Sequence, residues 1–262
     1  MKIRTVIILS LVALVIWWWF NRPNENFRMI FCDVGQGDAA LMISGNFQMM
    51  IDVGPENRKV LGCLEDNLPF NDRQLELVLI THWDIDHAGG LRDILKYYKI
   101  EKLFSGVKPS ADFEQISYTG DLTKNDVIRY GLMSFEILST EGIEGKGMDG
   151  DNGNSMVGVL SYKDYKFFMM GDVPKEVEQR LVWRALLRSA SYGRVKVLKV
   201  SHHGSETGTS EELLDTVKPD MAVISVGKNN FGHPATEVLE KLYKRGIKVL
   251  RTDELGEINF SL

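Results

Sequence analysis

Short apolar runs separated by polar turns fill most of the chain after residue 26, and they alternate with segments of helical periodicity. Runs at Met29–Cys32, Asp38–Ile43 and Phe47–Ile51 predict strands, and Ser44–Asn46 between the last two predicts a hairpin turn. Further strands are predicted at Leu75–Ile80, Ser134–Leu138, Met156–Tyr162, Lys166–Met170, Val195–Val200, Met221–Val226, Lys248–Arg251 and Glu257–Phe260. Helices are predicted at Arg58–Leu68, Gly89–Tyr98, Pro174–Ser189, Ser210–Val217 and Ala235–Arg245. Two series of strands and helices predict an α/β fold whose sheets are covered by helices.

The first twenty residues differ from the rest. Lys2 and Arg4 precede an uncharged apolar run, Thr5–Phe20, that ends in aromatic residues. The run has no polar face and no small-residue cleavage site after it, which favours an uncleaved signal anchor over a cleaved signal peptide or a buried helix. We therefore predict one N-terminal hydrophobic helix, with anchor and linker at 1–26 and the folded domain at 27–262. The basic residues before the run predict a single-pass anchor in the cytoplasmic membrane, with the domain on its outer, periplasmic or extracellular face.

The composition is that of an ordinary globular protein. The 262 residues are 44% apolar and 26% charged, and 31 basic against 36 acidic residues give a net charge of −5. An acidic chain has no overall positive field for nucleic acid, so a polyanionic substrate would have to meet a local basic patch or bound metal. Cys32 and Cys63 could form one disulfide, but their apolar contexts are typical of buried free thiols, and the unpaired alternative is favoured.

All five histidines fall at three places, namely His82 with His87, His202 with His203, and His233. The segment His82–His87 holds two imidazoles and the carboxylates of Asp84 and Asp86 directly after a predicted strand. Alternate residues of an extended segment point the same way, so these side chains can face one point, and a turn can bring His87 round to it. Polar groups that converge in this way need a counter-charge, which a divalent metal supplies. The alternative is a solvated acidic turn with an incidental pair of histidines.

Two other predicted strands end in residues that could complete a metal site. Asp172 follows the strand Lys166–Met170 and has two carboxylate oxygens with which to bridge two cations. His202 follows the strand Val195–Val200, with His203 beside it. A lone aspartate at a strand end is usually a turn former. Beside the other motifs, a ligand role for Asp172 is favoured.

Six short motifs occur in order: Asp33–Asp38 (DVGQGD), Ile51–Gly54 (IDVG), Thr81–Gly90 (THWDIDHAGG), Gly171–Asp172, Ser201–Ser205 (SHHGS) and Gly232–Pro234 (GHP). Together they resemble the metallo-β-lactamase superfamily, specifically the hydrolase domain of the ComEC/Rec2 competence proteins. The resemblance covers the chain from residue 28 to residue 262. It implies an αββα sandwich with one or two divalent metal ions, zinc or manganese, along one edge.

The resemblance also implies a role for each candidate ligand. His82 and Asp84 would hold a first metal, Asp86, His87 and His202 would hold a second, and Asp172 would bridge the two. Asp84 stands where the commonest family pattern has a histidine, and its oxygen ligand suits manganese. Asn154 stands near where many members have another histidine, and a neutral amide is a poor ligand. One of the two metals is therefore expected to bind weakly or to be absent.

Metal chemistry implies a metal-activated water as the nucleophile, with Asp86 orienting it. His233 could contact a phosphate oxygen or protonate the leaving group, and its alternative is a packing role. His203 could contact substrate or support a neighbouring ligand. Asp33, Asp38 and Asp52 are expected to tie down turns beneath the site rather than to bind metal.

The resemblance predicts a metal-dependent hydrolase, a phosphodiesterase or nuclease that acts on DNA. One alternative substrate is another surface phosphodiester, such as a phosphocholine-bearing polymer. A second alternative is a noncatalytic, membrane-anchored binding module whose site has decayed. The choice of substrate rests on family analogy, because this fold serves many chemistries.

Overall fold

The computed structural model describes residues 10–12, 26–140, 154–181 and 195–262. Its strands are β1 (Phe27–Phe31), β2 (Ala39–Ser44), β3 (Phe47–Val53), β4 (Gln74–Leu75), β5 (Leu77–Ile80), β6 (Lys99–Ile100), β7 (Leu103–Ser105), β8 (Gly120–Asp121), β9 (Val127–Tyr130), β10 (Met133–Ser139), β11 (Val157–Tyr162), β12 (Tyr165–Met169), β13 (Val197–Lys199), β14 (Met221–Ile224), β15 (Lys248–Arg251) and β16 (Ile258–Ser261). Its α-helices include Lys59–Asn67, Ile85–Ala88, Leu91–Tyr97, Glu211–Val217, Thr236–Lys244 and Thr252–Leu255. Residues 175–181 are also helical, and Ala111–Phe113 and Ser201–Gly204 form short 3₁₀ turns.

Two large sheets carry the fold. The strand order is β16-β1-β2-β3-β5-β7-β8 in the first sheet and β15-β14-β13-β12-β11-β10-β9 in the second. Each sheet joins an antiparallel half to a parallel half, which is β3-β5-β7-β8 in the first sheet and β12-β13-β14-β15 in the second. Parallel neighbours need a crossover connection, so helices follow these strands and cover the outer faces.

Apolar side chains pack in three layers. The layer between the two sheets includes Phe27, Met42, Phe135 and Phe167. The helices on the outer face of the first sheet bury Val60, Leu64, Leu91 and Ile94, and those on the second sheet bury Leu213, Leu214, Val238 and Leu242. This order of helix, sheet, sheet and helix confirms the predicted αββα sandwich.

The predicted elements agree with the observed ones where the apolar period is strong. The predicted hairpin turn lies at residues 45–46 and joins β2 to β3. The pattern does not predict β6, β7, β8 and β9, because strands of two or three residues have no measurable period and β9 is only half buried. Of the predicted helix Pro174–Ser189, only residues 175–181 lie in a described helix.

The hydrophobic helix predicted near the N terminus falls almost entirely outside the described residues. Only residues 10–12 of that segment are described, as a helical piece in which Leu11 and Val12 are exposed. Across the described part of the chain, no helix is both long enough and apolar enough to cross a membrane. This finding contradicts the predicted single-pass anchor, and with it the predicted location on the outer face of the cytoplasmic membrane.

A disulfide joins Cys32, directly after β1, to Cys63 in the helix Lys59–Asn67. The preference for free thiols is therefore wrong. Both cysteines are buried, as that argument assumed, but burial does not separate a paired cysteine from an unpaired one. Their Cα atoms lie 5.8 Å apart, within the ordinary range for a disulfide. The bond ties a covering helix to the first sheet.

Candidate metal centre

Polar side chains gather where the parallel strands of both sheets end. Asp52 is the penultimate residue of β3, and His82 comes two residues after β5. Asp172 and His203 follow β12 and β13 in the second sheet. Ligands of α/β folds bind outside the carboxyl ends of parallel strands, and here two sheets present such ends to a shared cleft.

Asp52 fixes the orientation of two histidines. Its carboxylate accepts hydrogen bonds from the amide and the hydroxyl of Thr81, both at 2.7 Å, and its Oδ2 lies 2.9 Å from His87 Nδ1. Because the Thr81 hydroxyl donates to Asp52, it can accept from His82 Nδ1, which lies 3.1 Å away. Both rings then carry a proton on Nδ1 and turn Nε2 toward the cleft. This result agrees with the expectation that Asp52 supports the site from beneath.

His203 is a third ring held in the same way. Its Nδ1 lies 2.9 Å from the carbonyl oxygen of Ser225, which can only accept, so Nε2 again faces the cleft. That Nε2 lies 3.2 Å from Asp86 Oδ2 and 3.4 Å from Asp172 Oδ2. His202 Nε2 lies 3.9 Å from Asp172 Oδ2, and its side chain is 25% exposed. The structure thus places the His203 ring among the inner candidate ligands and the His202 ring at the rim, whereas the resemblance assigns the ligand role to His202.

The backbone explains why the His203 ring turns inward and the His202 ring lies at the rim. His202 and His203 both adopt left-handed conformations, with φ of 49° and 52°, and Gly204 follows at φ 81°. A left-handed conformation costs a residue other than glycine about 1–2 kcal/mol. Two such residues in succession break the alternation of an extended strand end. Strained backbone of this kind is concentrated at functional sites.

The remaining predicted ligands converge on the same point. His87 Nε2 lies 3.2 Å from Asp172 Oδ2, and His82 Nε2 lies 3.5 Å from Asp84 Oδ2. The side chains of Asp84 and Asp86 are 36% and 32% exposed, so they lie toward the open side of the cleft. The structure therefore brings all six predicted metal ligands into or beside one cleft, with His202 on its margin.

The inner residues suit a metal ion. Among the described residues, His82 Nε2, His87 Nε2 and Asp172 Oδ1 are buried atoms without a hydrogen-bond partner, which costs about 1–3 kcal/mol each. Ligand atoms of His82, His87 and Asp172 lie within 4.8 Å of one another, and so do those of Asp86, His87 and His203. Imidazole nitrogens and carboxylate oxygens are ligands for zinc and manganese. The residues fit one or two divalent cations.

Ser155 is a contributor that the sequence did not indicate. Its hydroxyl lies 3.3 Å from His82 Nδ1 and accepts a hydrogen bond from the Asp172 amide at 3.1 Å. Gly171 allows this contact, because a Cβ at that position would collide with the Ser155 hydroxyl. Asn154, the residue that stands near the usual histidine position, is exposed.

The loop Asp33–Asp38 supports the ligand segment from below. The Asp38 amide donates to the Asp86 carbonyl at 3.1 Å, and Gly37 lies so close that a Cβ would collide with that oxygen. Asp38 Oδ2 pairs with Lys199 Nζ at 2.5 Å, and Asp38 Oδ1 lies 3.4 Å from His203 Nδ1. Lys199 is 2% exposed, a burial that the sequence does not indicate because most lysines are solvated.

The carboxylates control the protonation of the inner histidines. Burial lowers the pKa of His87, but Asp172 and Asp52 outweigh it and raise that pKa well above 6.5. Burial also lowers the pKa of His203, while Asp172 and Asp38 raise it well above 6.5. In turn, the pKa of Asp172 is held well below 3.8 by the two rings, although burial alone would raise it. Without metal, protons occupy both rings, and a metal has to displace them.

His233 and His202 form the rim of the cleft, with ring centroids 5.5 Å apart. Burial is the largest effect on both rings and lowers the pKa of each below 6.5, and the nearby ring of His203 lowers both further. Both rings are therefore neutral at pH 7. His233 Nδ1 is buried without a hydrogen-bond partner among the described residues. A neutral imidazole with a free nitrogen can exchange a proton with a substrate.

Comparison with known proteins agrees with this geometry. A family model described as the metallo-beta-lactamase superfamily matches residues 32–228. ComE operon protein 3 of Bacillus subtilis is 31% identical over 199 residues, which covers 72% of this chain and 25% of that protein. Recombination protein 2 of Haemophilus influenzae is 30% identical over 256 residues, which covers 96% of this chain and 31% of that protein. The chain thus spans about a quarter to a third of these curated relatives.

The fold also matches solved structures at low sequence identity. The metallo-beta-lactamase fold protein YhfI from Bacillus subtilis superposes with a TM-score of 0.60 at 10% identity, covering 91% of this chain and 100% of that one. At this identity the likeness shows the fold alone.

Proposed function

The chain belongs to the metallo-β-lactamase superfamily, whose members are usually metal-dependent hydrolases, and from that membership we propose that residues 27–262 form a phosphodiesterase that cleaves DNA. One observation carries the proposal: the Nε2 atoms of His82, His87 and His203 face one cleft, each with its Nδ1 held by a hydrogen-bond partner. Partners on the far nitrogen orient an imidazole for metal binding.

Relatives support the choice of DNA. Recombination is a process that acts on DNA, and a recombination protein aligns with 96% of this chain. DNA is a phosphodiester, and divalent metal centres with exposed carboxylates are suited to the in-line displacement that opens one. The chain spans only 31% of that relative, so the activity of the whole relative is a guide to substrate class and no more.

The charges in and beneath the cleft support two cations. Among the described residues, its carboxylates are those of Asp38, Asp52, Asp84, Asp86 and Asp172, and the ammonium paired with them is that of Lys199. With the imidazoles neutral, these groups leave four net negative charges, the charge that two divalent ions carry. Buried charges persist only when they are compensated in this way. We propose two metals, either zinc or manganese.

The chain's own residues supply orientation and proton transfer. Divalent cations bound here would lower the pKa of a water molecule and neutralise charge on the phosphoryl oxygens. Asp86, whose side chain is 32% exposed, would orient the attacking water toward phosphorus. His233, neutral and at the rim, would contact a phosphate oxygen or protonate the leaving oxygen. His202 would line the path between them.

The test combines metal content with cleavage. The purified full chain is analysed for metal, then assayed with single-stranded DNA and with bis-p-nitrophenyl phosphate in added manganese or zinc. Asp172→Asn keeps the side-chain shape but removes the charge beside two rings. We expect the cleavage rate to fall about a thousandfold or more, because several kcal/mol of transition-state stabilisation are lost. Asp215→Asn is the matched control, because Asp215 is 65% exposed and pairs with Arg245 on the outer helices.

Each result has a definite meaning. Metal-dependent cleavage of DNA that is lost in Asp172→Asn and kept in Asp215→Asn supports the proposal. Cleavage of the small diester without cleavage of DNA would reject DNA as substrate and point to another phosphodiester, such as a phosphocholine-bearing polymer. A chain that binds no zinc or manganese would reject the hydrolase and leave a noncatalytic binding module.

A further inference from the structure

An exposed phenylalanine stands at the outer end of the row of rings that leads from the metal centre. Phe231 is 75% exposed, and its ring centroid lies 5.8 Å from that of His233. The His233 ring lies 5.5 Å from that of His202, whose Nε2 is 3.9 Å from Asp172. Two ring-to-ring steps therefore connect this solvent-exposed face to the residues around the metal.

The loop that carries Phe231 is held in place. Asn229 Oδ1 accepts hydrogen bonds from the amides of Phe231 and His233 at 3.0 and 3.1 Å. Its Nδ2 donates to the carbonyls of Gly227 and His233 at 2.9 and 2.7 Å. One asparagine thus closes the loop on both sides of Phe231. The loop holds the Phe231 ring in solvent, where the ring forgoes the favourable free energy of burial.

We propose that Phe231 is a stacking platform for an unpaired nucleobase of the strand whose phosphodiester lies at the metal centre, a proposal that rests on the proposed function. Every base has a π face, so an aromatic ring beside a cleavage site holds single strands with little regard to sequence. Bases inside a duplex already stack on their neighbours and cannot offer that face without being unstacked. The preferred substrate is therefore single-stranded DNA.

A cation on the same loop fits this ligand. Lys228 is exposed and stands three residues before Phe231. Single-strand sites combine basic side chains, which follow the phosphates, with aromatic side chains, which stack on the bases. The net charge of the chain is −5, so a local cation near the cleft has more effect on a polyanion than the overall field has.

The test compares DNA with and without bases. The metal-loaded full chain is given oligothymidylate and an oligomer of equal length in which every residue is an abasic analogue. The measured quantity is kcat/KM for oligothymidylate divided by kcat/KM for the abasic oligomer. Binding of both oligomers is measured separately by fluorescence anisotropy. We expect Phe231→Ala to lower the kcat/KM ratio by between about 5-fold and 150-fold, from the usual contribution of one stacked base. Phe231→Trp should keep the ratio, and Phe231→Leu should behave like the alanine variant.

Phe70 provides the matched control. It is 88% exposed and precedes β4 and β5, at the edge opposite to the carboxyl ends where the cleft lies. Phe70→Ala should leave the ratio unchanged.

Failure of the stacking proposal and failure of the proposed function give different results. If the wild type cleaves DNA but Phe231→Ala lowers activity on both oligomers equally, or on neither, the stacking role is overturned and the phosphodiesterase stands. If Phe231→Ala weakens binding of oligothymidylate but the wild type cleaves neither oligomer, the stacking role stands and the nuclease is overturned. A wild type that neither cleaves nor binds the oligomers would overturn both.

Discussion

Replacing Lys199 with methionine would test whether the layer beneath the metal centre depends on one buried cation. Lys199 Nζ lies 2.5 Å from Asp38 Oδ2 and donates to the Val200 carbonyl at 2.9 Å. The two side chains are only 2% and 7% exposed, so bulk water does not screen the pair. Methionine keeps the unbranched shape and removes the charge. The variant therefore leaves a buried carboxylate without its counter-ion.

The expected cost is large. Removing one partner of a buried ion pair destabilises a protein by about 3–5 kcal/mol, which is a large part of a typical total of 5–15 kcal/mol. Burial raises the pKa of Asp38, but Lys199 and His203 outweigh it and hold that pKa well below 3.8. The paired carboxylate contributes stability above its unfolded pKa of about 3.9 and loses it as the pH falls through the lower folded value. The difference in free energy of unfolding between variant and wild type should therefore stay constant above about pH 4 and narrow only as the pH falls below that value.

Urea unfolding of the metal-free chain measures this cost. Trp83, one of five tryptophans in the chain, is 2% exposed and lies 5.4 Å from the Phe113 ring, so its contribution to the fluorescence changes when the core is lost. Lys196→Met is the matched control, because Lys196 pairs with Asp220 at 3.2 Å with both side chains about one-third exposed. Such a pair contributes at most about 1 kcal/mol.

A double variant separates the pair from the packing. Asp38→Asn combined with Lys199→Met removes the orphaned charge, and most of the lost stability should return. The reasoning is refuted if Lys199→Met costs no more than Lys196→Met. It is also refuted if the double variant is no more stable than Lys199→Met alone.

Metal binding should release protons, because the pKa values of His87 and His203 are raised well above 6.5 in the metal-free chain. Affinity for manganese should fall as the pH is lowered. Calorimetry in two buffers of different ionisation enthalpy gives the number of protons released on binding. The same raised pKa values stabilise the metal-free chain fully below about pH 6.5, the unfolded value, and that stability is lost as the pH rises through the folded values; equal urea midpoints at pH 6 and pH 9 would contradict this. Reducing the bond between Cys32 and Cys63, 31 positions apart, should cost about 3–4 kcal/mol from loop closure, seen as a lower urea midpoint with reductant. His202→Gly should raise the free energy of unfolding by as much as about 1 kcal/mol, because glycine adopts the left-handed backbone without strain, and should lower the rate of hydrolysis. A fall in the free energy of unfolding would count against that strain.

Those parts of the fold that have strong local patterns were predictable. β5 is a continuous buried run of Leu, Val, Leu and Ile, which is the pattern of a strand covered on both faces, and His82 follows it as expected. β8 has two residues, and its pairing with β7 depends on neighbours that are far away in the sequence. A pairing of this kind leaves no hydrophobic periodicity in the local sequence from which it could be predicted.

The positions of candidate ligands that are close together in the sequence follow from local spacing, whereas tertiary contacts decide the placement of the others. The spacing of His82 and His87 predicted that both would reach one point, and they do. Local sequence does not indicate which of His202 and His203 turns inward, because two successive left-handed residues set the directions of their side chains. Ser155 and Lys199 are common residue types whose roles arise only from the groups beside them in the fold.

The pairing of β1 with β16 brings both ends of the folded region together. Phe27 and Leu262 exchange backbone hydrogen bonds, at 3.4 Å and 2.9 Å. β1 runs in the same direction as β3, because both are antiparallel to β2, so Phe27 lies at the edge opposite to Asp52 and the cleft. The polypeptide can thus enter and leave through a single point on the rear of the molecule. A longer protein that contains such a unit, as the relatives of which the chain spans 25% and 31% do, can be joined to it on this side without obstructing the approach of a substrate.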